Sequence, residues 1–127
     1  MTAPTWIEAV VREFGHAAGL SGLALNERGA AAITFENGAV LRLEYAFDSL
    51  VVALTLPVRL DPTAAARLLA YAHPEARYGF KLRSGYLANK RRAIFAARLA
   101  DREVTLPVLN SIFSVLWRIG QEFGGAA

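Results

Sequence analysis

The spacing of apolar residues changes several times along the chain, and each change marks an element. Ile7, Val10, Val11, Phe14 and Ala18 recur three and four positions apart, the single stripe of an amphipathic helix. Thr5 followed by Glu8 predicts a capping box at its start, and Gly19 predicts its stop. Between Leu23 and Val58 the period drops to two. Ile33 and Phe35 alternate with Thr34 and Glu36, then Asn37-Gly38 predicts a hairpin. Leu41, Leu43 and Tyr45 alternate with Arg42 and Glu44 on the return. After a turn at "AFDS", Leu50, Val52, Leu54 and Leu56 take one face of a third strand, and Val51, Ala53 and Thr55 the other. Both faces are apolar, so this strand is expected to be covered twice or to lie against a partner.

Helical spacing returns at Asp61, an N-cap followed by Pro62 at the first helical position. The helix is expected to stop before Pro74 and carries the stripe Ala65, Leu68, Leu69 and Ala72. Its small residues would let another helix approach closely. In the next strand Phe80, Leu82, Tyr86 and Ala88 are expected inside, with Lys81, Arg83 and Asn89 outside. Ser84-Gly85 suggests a bulge or kink, and residues 89–92 a turn. Phe95, Ala97 and Leu99 face inward on the return. A closing helix capped by Thr105 presents Val108, Leu109, Ile112, Val115, Leu116, Ile119 and Phe123, with Phe113 and Trp117 as a second contact edge. The expected architecture is α+β, a single domain over residues 1–127. Its order is helix, three strands, helix, two strands, helix, with an antiparallel sheet packed against the helices.

Composition adds a need for company. The chain is 54% apolar with a mean hydropathy of +0.30, against about 45–50% apolar in typical soluble domains. The excess points to surface that is covered by self-association or by a partner. The apolar tract "TLPVLNSIFSVLW" falls short of the ~20 residues of a membrane span. The amino terminus lacks the basic and apolar regions of a secretory signal. With no cysteine, disulfides, thiol catalysis and thiolate metal sites are excluded, which suits a cytoplasmic protein.

The net charge of +3 conceals an uneven distribution. Residues 1–76 hold five arginines against eight acids, whereas residues 77–102 hold eight Lys or Arg against Asp101 alone. The stretch "RYGFKLRSGYLANKRR" combines basic and aromatic residues, as a nucleic-acid groove does. A stacking platform, however, needs both kinds on one face. The alternation puts the aromatics inside and the charges outside, so the hairpin reading takes precedence.

Catalytic spacings are missing. The chain has no glycine-rich phosphate loop, no His-Glu-x-x-His and no Gly-x-Ser-x-Gly. His16 and His73 stand apart at helix ends, and Glu8, Glu13, Glu36, Glu44 and Asp48 are scattered. No catalytic set, metal site or cofactor is expected. The residues favour a binding module over an enzyme.

The element order and its cues resemble the class I chaperones of bacterial type III secretion, the Tir-chaperone family. The similarity is carried by "WIEAVVREFGHAAGL", "ITFENGAVLRLEY", "LVVALTLPV", "DPTAAARLLAYAH", "GYLANKRRAIFAARL" and the closing helix. It implies a small cytoplasmic homodimer of bacterial virulence that binds the N-terminal region of a secreted effector in extended form. By position, the resemblance makes Trp6, Phe14, Ile33, Phe35, Leu43, Val51 and Ala53 candidate effector contacts, several of them on core faces. Ala65, Leu68, Leu69 and Ala72 become candidate dimer contacts. Members are typically acidic, and this chain, with a pI near 9.7, is not. Its basic rim, Lys81, Arg83, Lys90, Arg91 and Arg92, would suit an acidic cargo. The alternative is a basic nucleic-acid-binding or regulatory domain of similar α+β fold, with the same residues on phosphates.

Overall fold

The computed structural model describes residues 2–20, 22–59, 61–71 and 80–124, without the side chains of 69, 71, 123 and 124. The elements are α1 (Thr5–Ala17), β1 (Ala30–Thr34), β2 (Val40–Ala46), β3 (Ser49–Pro57), α2 (Pro62–Tyr71), β4 (Leu82–Leu87), β5 (Arg92–Ala100) and α3 (Leu106–Gly124). This is the expected order, with a single 3₁₀ turn at Asp101–Glu103 added before α3.

The strands form one antiparallel sheet in the order β1-β2-β3-β5-β4. The long strands β3 and β5 pair at its centre, and the chain crosses between them through α2. Register sorts every strand residue onto one of two faces. Leu41, Leu43 and Tyr45 oppose Leu54, Val52 and Leu50, which in turn oppose Phe95, Ala97 and Leu99. All are buried and, with Ile7, Val11, Phe14, Leu109, Ile112, Leu116 and Ile119 from the helices, make one core. Helix α3 lies on β3 and β5, α1 packs on α3, and α2 packs on β4. The opposite face carries Arg42, Glu44, Val51, Ala53, Thr55, Ile94, Ala96 and Arg98, and no described helix covers it.

Most caps agree with the sequence. Asp61 Oδ1 accepts the Ala64 N–H at 2.8 Å, Thr105 Oγ1 accepts that of Val108 at 3.3 Å, and Gly19 ends α1 at φ 73°. At the start of α1 the structure differs. Pro4 is the N-cap, its carbonyl accepts the Ile7 and Glu8 N–H groups, and there is no side-chain cap. The helix begins one residue early, so Thr5 lies inside it rather than capping it.

The β4–β5 hairpin also departs from expectation. Its register runs unbroken from Leu82↔Ala97 to Leu87↔Arg92, so Ser84-Gly85 makes neither bulge nor kink. Ser84 and Tyr86 therefore share the inner face with Leu82. The Ser84 hydroxyl donates to the Leu68 carbonyl and that of Tyr86 to the Val58 carbonyl. The turn is residues 88–91, one residue earlier than expected, and Ala88 is exposed in it. Ala72, His73 and Arg77 lie outside the described residues.

Candidate partner-binding surfaces

The two edges of the sheet are β1 and β4, and they are finished differently. Strand β4 has Arg83 within it and Lys81 just before it, and α2 packs alongside. Charge at an edge discourages a further strand. Strand β1 reads Ala-Ala-Ala-Ile-Thr, without a charge, proline or bulge.

The hydrogen bonds show which backbone groups of β1 are free. Tyr45 N–H donates to Gly29 O at 2.7 Å, and Phe35 N–H to Ala39 O at 2.8 Å. Those pairs flank β1, and hydrogen-bonded pairs alternate in an antiparallel ladder. Ala31 and Ile33 therefore bond inward to β2. Ala32 and Thr34 direct their N–H and C=O groups outward, while Ala30 is taken up by Asn26.

An aromatic cluster adjoins this edge. Phe35, in the β1–β2 turn, lies 4.7 Å from Trp117 and 6.4 Å from Phe113, ring centroid to ring centroid. Phe113 lies 5.8 Å from Trp117 and meets Phe14 edge-on at 5.6 Å. Phe14 is fully buried, but Ile33, Phe35, Phe113 and Trp117 are each only half-buried. They leave an apolar patch continuous with the open edge. Phe113 and Trp117 stand on one side of α3 at i and i+4, the spacing that marked them as a second contact edge.

The other sequence candidates separate. Trp6 is exposed on α1, at 48%. Leu43, like Phe14, is core and cannot touch cargo without unfolding. Val51 is half-buried and Ala53 buried, both on the uncovered sheet face, where longer neighbours close over the small alanine. Of the dimer candidates, Ala65 is half-buried and Leu68 is turned into the core against β4, so Leu68 is no interface residue. The side chain of Leu69 and all of Ala72 are outside the described residues.

The basic rim also divides. Lys90 and Arg91 are exposed in the β4–β5 turn, and Lys81 and Arg83 are exposed beside β5. Arg92 is half-buried and committed. Its guanidinium donates to Thr55 and to the Gly38 carbonyl, so it belongs to the fold and not to a free rim. Carbonyl and hydroxyl oxygens satisfy it, with no acid among its partners. Arg98, on the same outer face as Arg83, takes its place in the positive surface. The alternation Ile94, Ala96, Arg98 already marked it as outward.

Among the described residues no three His, Cys, Asp or Glu side chains converge as a metal site, and no helix is long and apolar enough to cross a membrane.

Comparison with known proteins agrees with this architecture. A chain of the ExsC-ExsE complex superposes with a TM-score of 0.73 at 18% identity, covering 93% of this chain and 90% of that one. The Yersinia pestis type III secretion chaperone SycH structure, with a fragment of YscM2, gives 0.68 at 16% identity, covering 95% and 99%. The HopA1-SchA chaperone-effector complex gives 0.67 at 15% identity, covering 91% and 90%. At these identities the likeness establishes the fold. No curated protein matches the sequence. The model of the type III secretory system chaperone SycN matches residues 6–124, nearly the whole chain, and the chain therefore belongs to that family of secretion chaperones.

Proposed function

We propose that this protein is a bacterial cytoplasmic chaperone that holds the N-terminal region of a secreted effector in extended form. The observation that carries the reading is the open edge of β1, with outward-facing Ala32 and Thr34, next to the patch of Ile33, Phe35, Phe113 and Trp117. An added strand gains backbone hydrogen bonds from the edge, and its alternate side chains find apolar surface. Such binding needs extended cargo and no chemistry. Trp6 and Val51 are further contacts on a path that leaves the edge. Two structural neighbours are a chaperone-effector complex and a chaperone with a bound fragment, which supports the same use here.

The chain acts as a homodimer, with Ala65 and the outward side of α2 at the interface. Because Leu68 is core, the informative substitution is Ala66→Glu, at an exposed position of α2. It should yield monomers by light scattering without loss of the fold.

The deciding experiment is co-expression with the N-terminal segment of the secreted protein encoded nearby. One segment bound per dimer, lost on Phe35→Asp, is the expected result. A stable monomer that captures no such segment and retains DNA would overturn the reading in favour of nucleic-acid binding.

A further inference from the structure

The uncovered face of the sheet holds a cleft that the open edge does not explain. It has a volume of about 510 Å³ and is lined by Ser49, Val51, Lys81, Arg83, Ala96 and Arg98, among others. The floor is small and apolar, because Val51 lies across from Arg98 and Ala96 across from Arg83 in the register. The walls are cationic. Lys81 and Arg83 are two residues apart, about 7 Å along an extended chain, and Arg98 projects from the neighbouring strand about 5 Å away. All three are exposed. Among the described residues no side chain of the three has a hydrogen-bond or ion-pair partner.

Lys81 and Arg98 also line a second cleft, of about 550 Å³, with Phe80, Pro107, Val108 and Glu103. The two clefts share Lys81 and Arg98 at the end of the β4–β5 hairpin, and the surface they make together, hereafter the channel, is basic in its first half and more apolar in its second. The only acid among the described residues lining the second half is Glu103, whose Oε1 already accepts the Ala100 N–H at 2.9 Å. Glu44, on β2, lies beyond Val51 on the sheet face, and Asp48 and Asp101 adjoin the lining residues Ser49 and Ala100. Three neighbouring positive side chains, none of them paired with an acid among the described residues, are complementary to an anionic segment.

We propose that this channel binds an extended acidic segment of the secreted partner. Carboxylates two residues apart face Lys81, Arg83 and Arg98, and an apolar side chain rests on Phe80 and Val108. An extended peptide repeats its side chains every two residues, as β4 does, so the spacings match. Single-stranded nucleic acid has a comparable phosphate spacing but calls for exposed aromatic rings among the cations. Among the described residues the large exposed aromatics, Trp6 and Phe47, lie on other elements. The inference deepens the chaperone reading and rests on it for the identity of the protein that supplies the segment. The chemistry of the channel is tested with a free peptide, so the two can fail separately.

The probe is a synthetic peptide of alternating glutamate and valine, followed by fluorescence anisotropy at low and high salt. Arg83→Glu with Arg98→Glu should weaken binding by about tenfold or more at low salt, with less difference at high salt. Lys90→Glu with Arg91→Glu changes the net charge equally, in the turn, and should alter binding less than about twofold. Phe35→Asp should leave peptide binding intact while abolishing effector capture. All the charges replaced are exposed, and unchanged melting temperatures confirm folding. Equal losses in the two double variants would overturn the proposal, because the charge would then act as a diffuse field. No peptide binding by the unmodified protein would overturn it as well. Tighter binding of single-stranded DNA, lost in the Arg83 and Arg98 variant, would reassign the channel to nucleic acid. A changed oligomeric state with peptide binding retained would reassign it to a second copy of the chain.

Discussion

Arg92 and Thr55 clasp each other across the uncovered face of the sheet. The Arg92 Nε and Nη2 groups donate to Thr55 Oγ1 at 3.2 and 3.1 Å. Nη2 also reaches the Thr55 carbonyl at 3.1 Å and the Gly38 carbonyl at 2.7 Å. One side chain thus ties the start of β5 to β3 and to the β1–β2 turn, at the far end of the sheet from the basic channel. The same turn places Phe35 beside Trp117, so the clasp fixes one wall of the proposed effector patch.

Arg92→Ala should therefore destabilise the fold. Thr55 is only 5% exposed and loses its donors, at a cost of about 1–3 kcal/mol. Thermal unfolding should occur several degrees lower, whereas Lys90→Ala, in the exposed turn, should shift it little. An unchanged melting temperature in Arg92→Ala would show that water replaces the guanidinium.

Two helical glycines should respond differently to alanine. A Cβ on Gly15 would lie 2.8 Å from Leu23 Cβ and 3.1 Å from the Leu20 carbonyl oxygen, neither of which can swing away. The Leu20 N–H donates to the Gly15 carbonyl at 2.7 Å, which holds that approach. The ~1 kcal/mol gain in helix propensity is then outweighed by an overpacking cost of about 1–3 kcal/mol. A Cβ on Gly120 would meet the tip of a side chain, Leu54 Cδ2, at 2.9 Å. A rotamer shift relieves much of that contact. Denaturant titration should show Gly15→Ala clearly destabilised and Gly120→Ala near neutral. The reverse order would show that the α1–loop contact yields more readily than the α3–sheet contact.

The helices and strands were legible because their apolar periods are long and uninterrupted, and Asp61 and Thr105 announced their helices by local chemistry. What could not be read depended on residues distant in sequence. Arg92 looked like one more solvated turn cation because its acceptors lie on Thr55 and Gly38, in other hairpins. Leu68 sat on an apolar stripe, but a stripe cannot tell a sheet from a second helix as its cover. Gly85 suggested a kink, yet the unbroken β5 ladder holds it in line. Phe14 and Leu43 were on core faces from the start, and their rank as contacts came only from the family resemblance. The free groups of β1 needed the strand order, which alternation alone does not provide.

The β2–β3 turn has Phe47 at φ 50° and Asp48 at φ 57°, both in the left-handed region. A two-residue hairpin of this kind favours Asn-Gly, and a non-glycine residue there costs about 1–2 kcal/mol. Phe47 is 79% exposed, so its ring recovers little by packing. Phe47→Asn should raise the melting temperature by a few degrees. A fall would reveal that the ring is held by the fold.

Tyr45 is buried beside that turn, and its hydroxyl lies 3.5 Å from Asp48 Oδ1. Burial first, then the charges of Asp48 and Asp101, raise its phenol above the ordinary value of 10.0. The unfolded chain thus loses this proton at lower pH than the folded one. The resulting stability is complete below pH 10 and is lost as pH climbs through the raised value. Melting temperatures measured upward from pH 10 should fall more steeply in the parent protein than in Tyr45→Phe. Parallel curves would mean that the phenol ionises alike in both states.

The strand-addition model makes its sharpest demand at Ala32. Its N–H points away from β2, so proline at this position removes no ladder hydrogen bond. Ala31 before it already has the extended conformation that a following proline requires. Ala32→Pro should therefore fold with a melting temperature close to the parent's. An incoming strand, however, loses a donor at the middle of the edge and meets the pyrrolidine ring in its path. Effector capture should fall by about tenfold or more, the worth of one or two lost hydrogen bonds in a dry interface. The comparison with Phe35→Asp then separates the two parts of the site. If Phe35→Asp abolishes capture and Ala32→Pro leaves it intact, the cargo uses the aromatic patch alone. The open edge of β1 would then serve no strand, and the extended-cargo model would have to yield to docking of side chains on the patch.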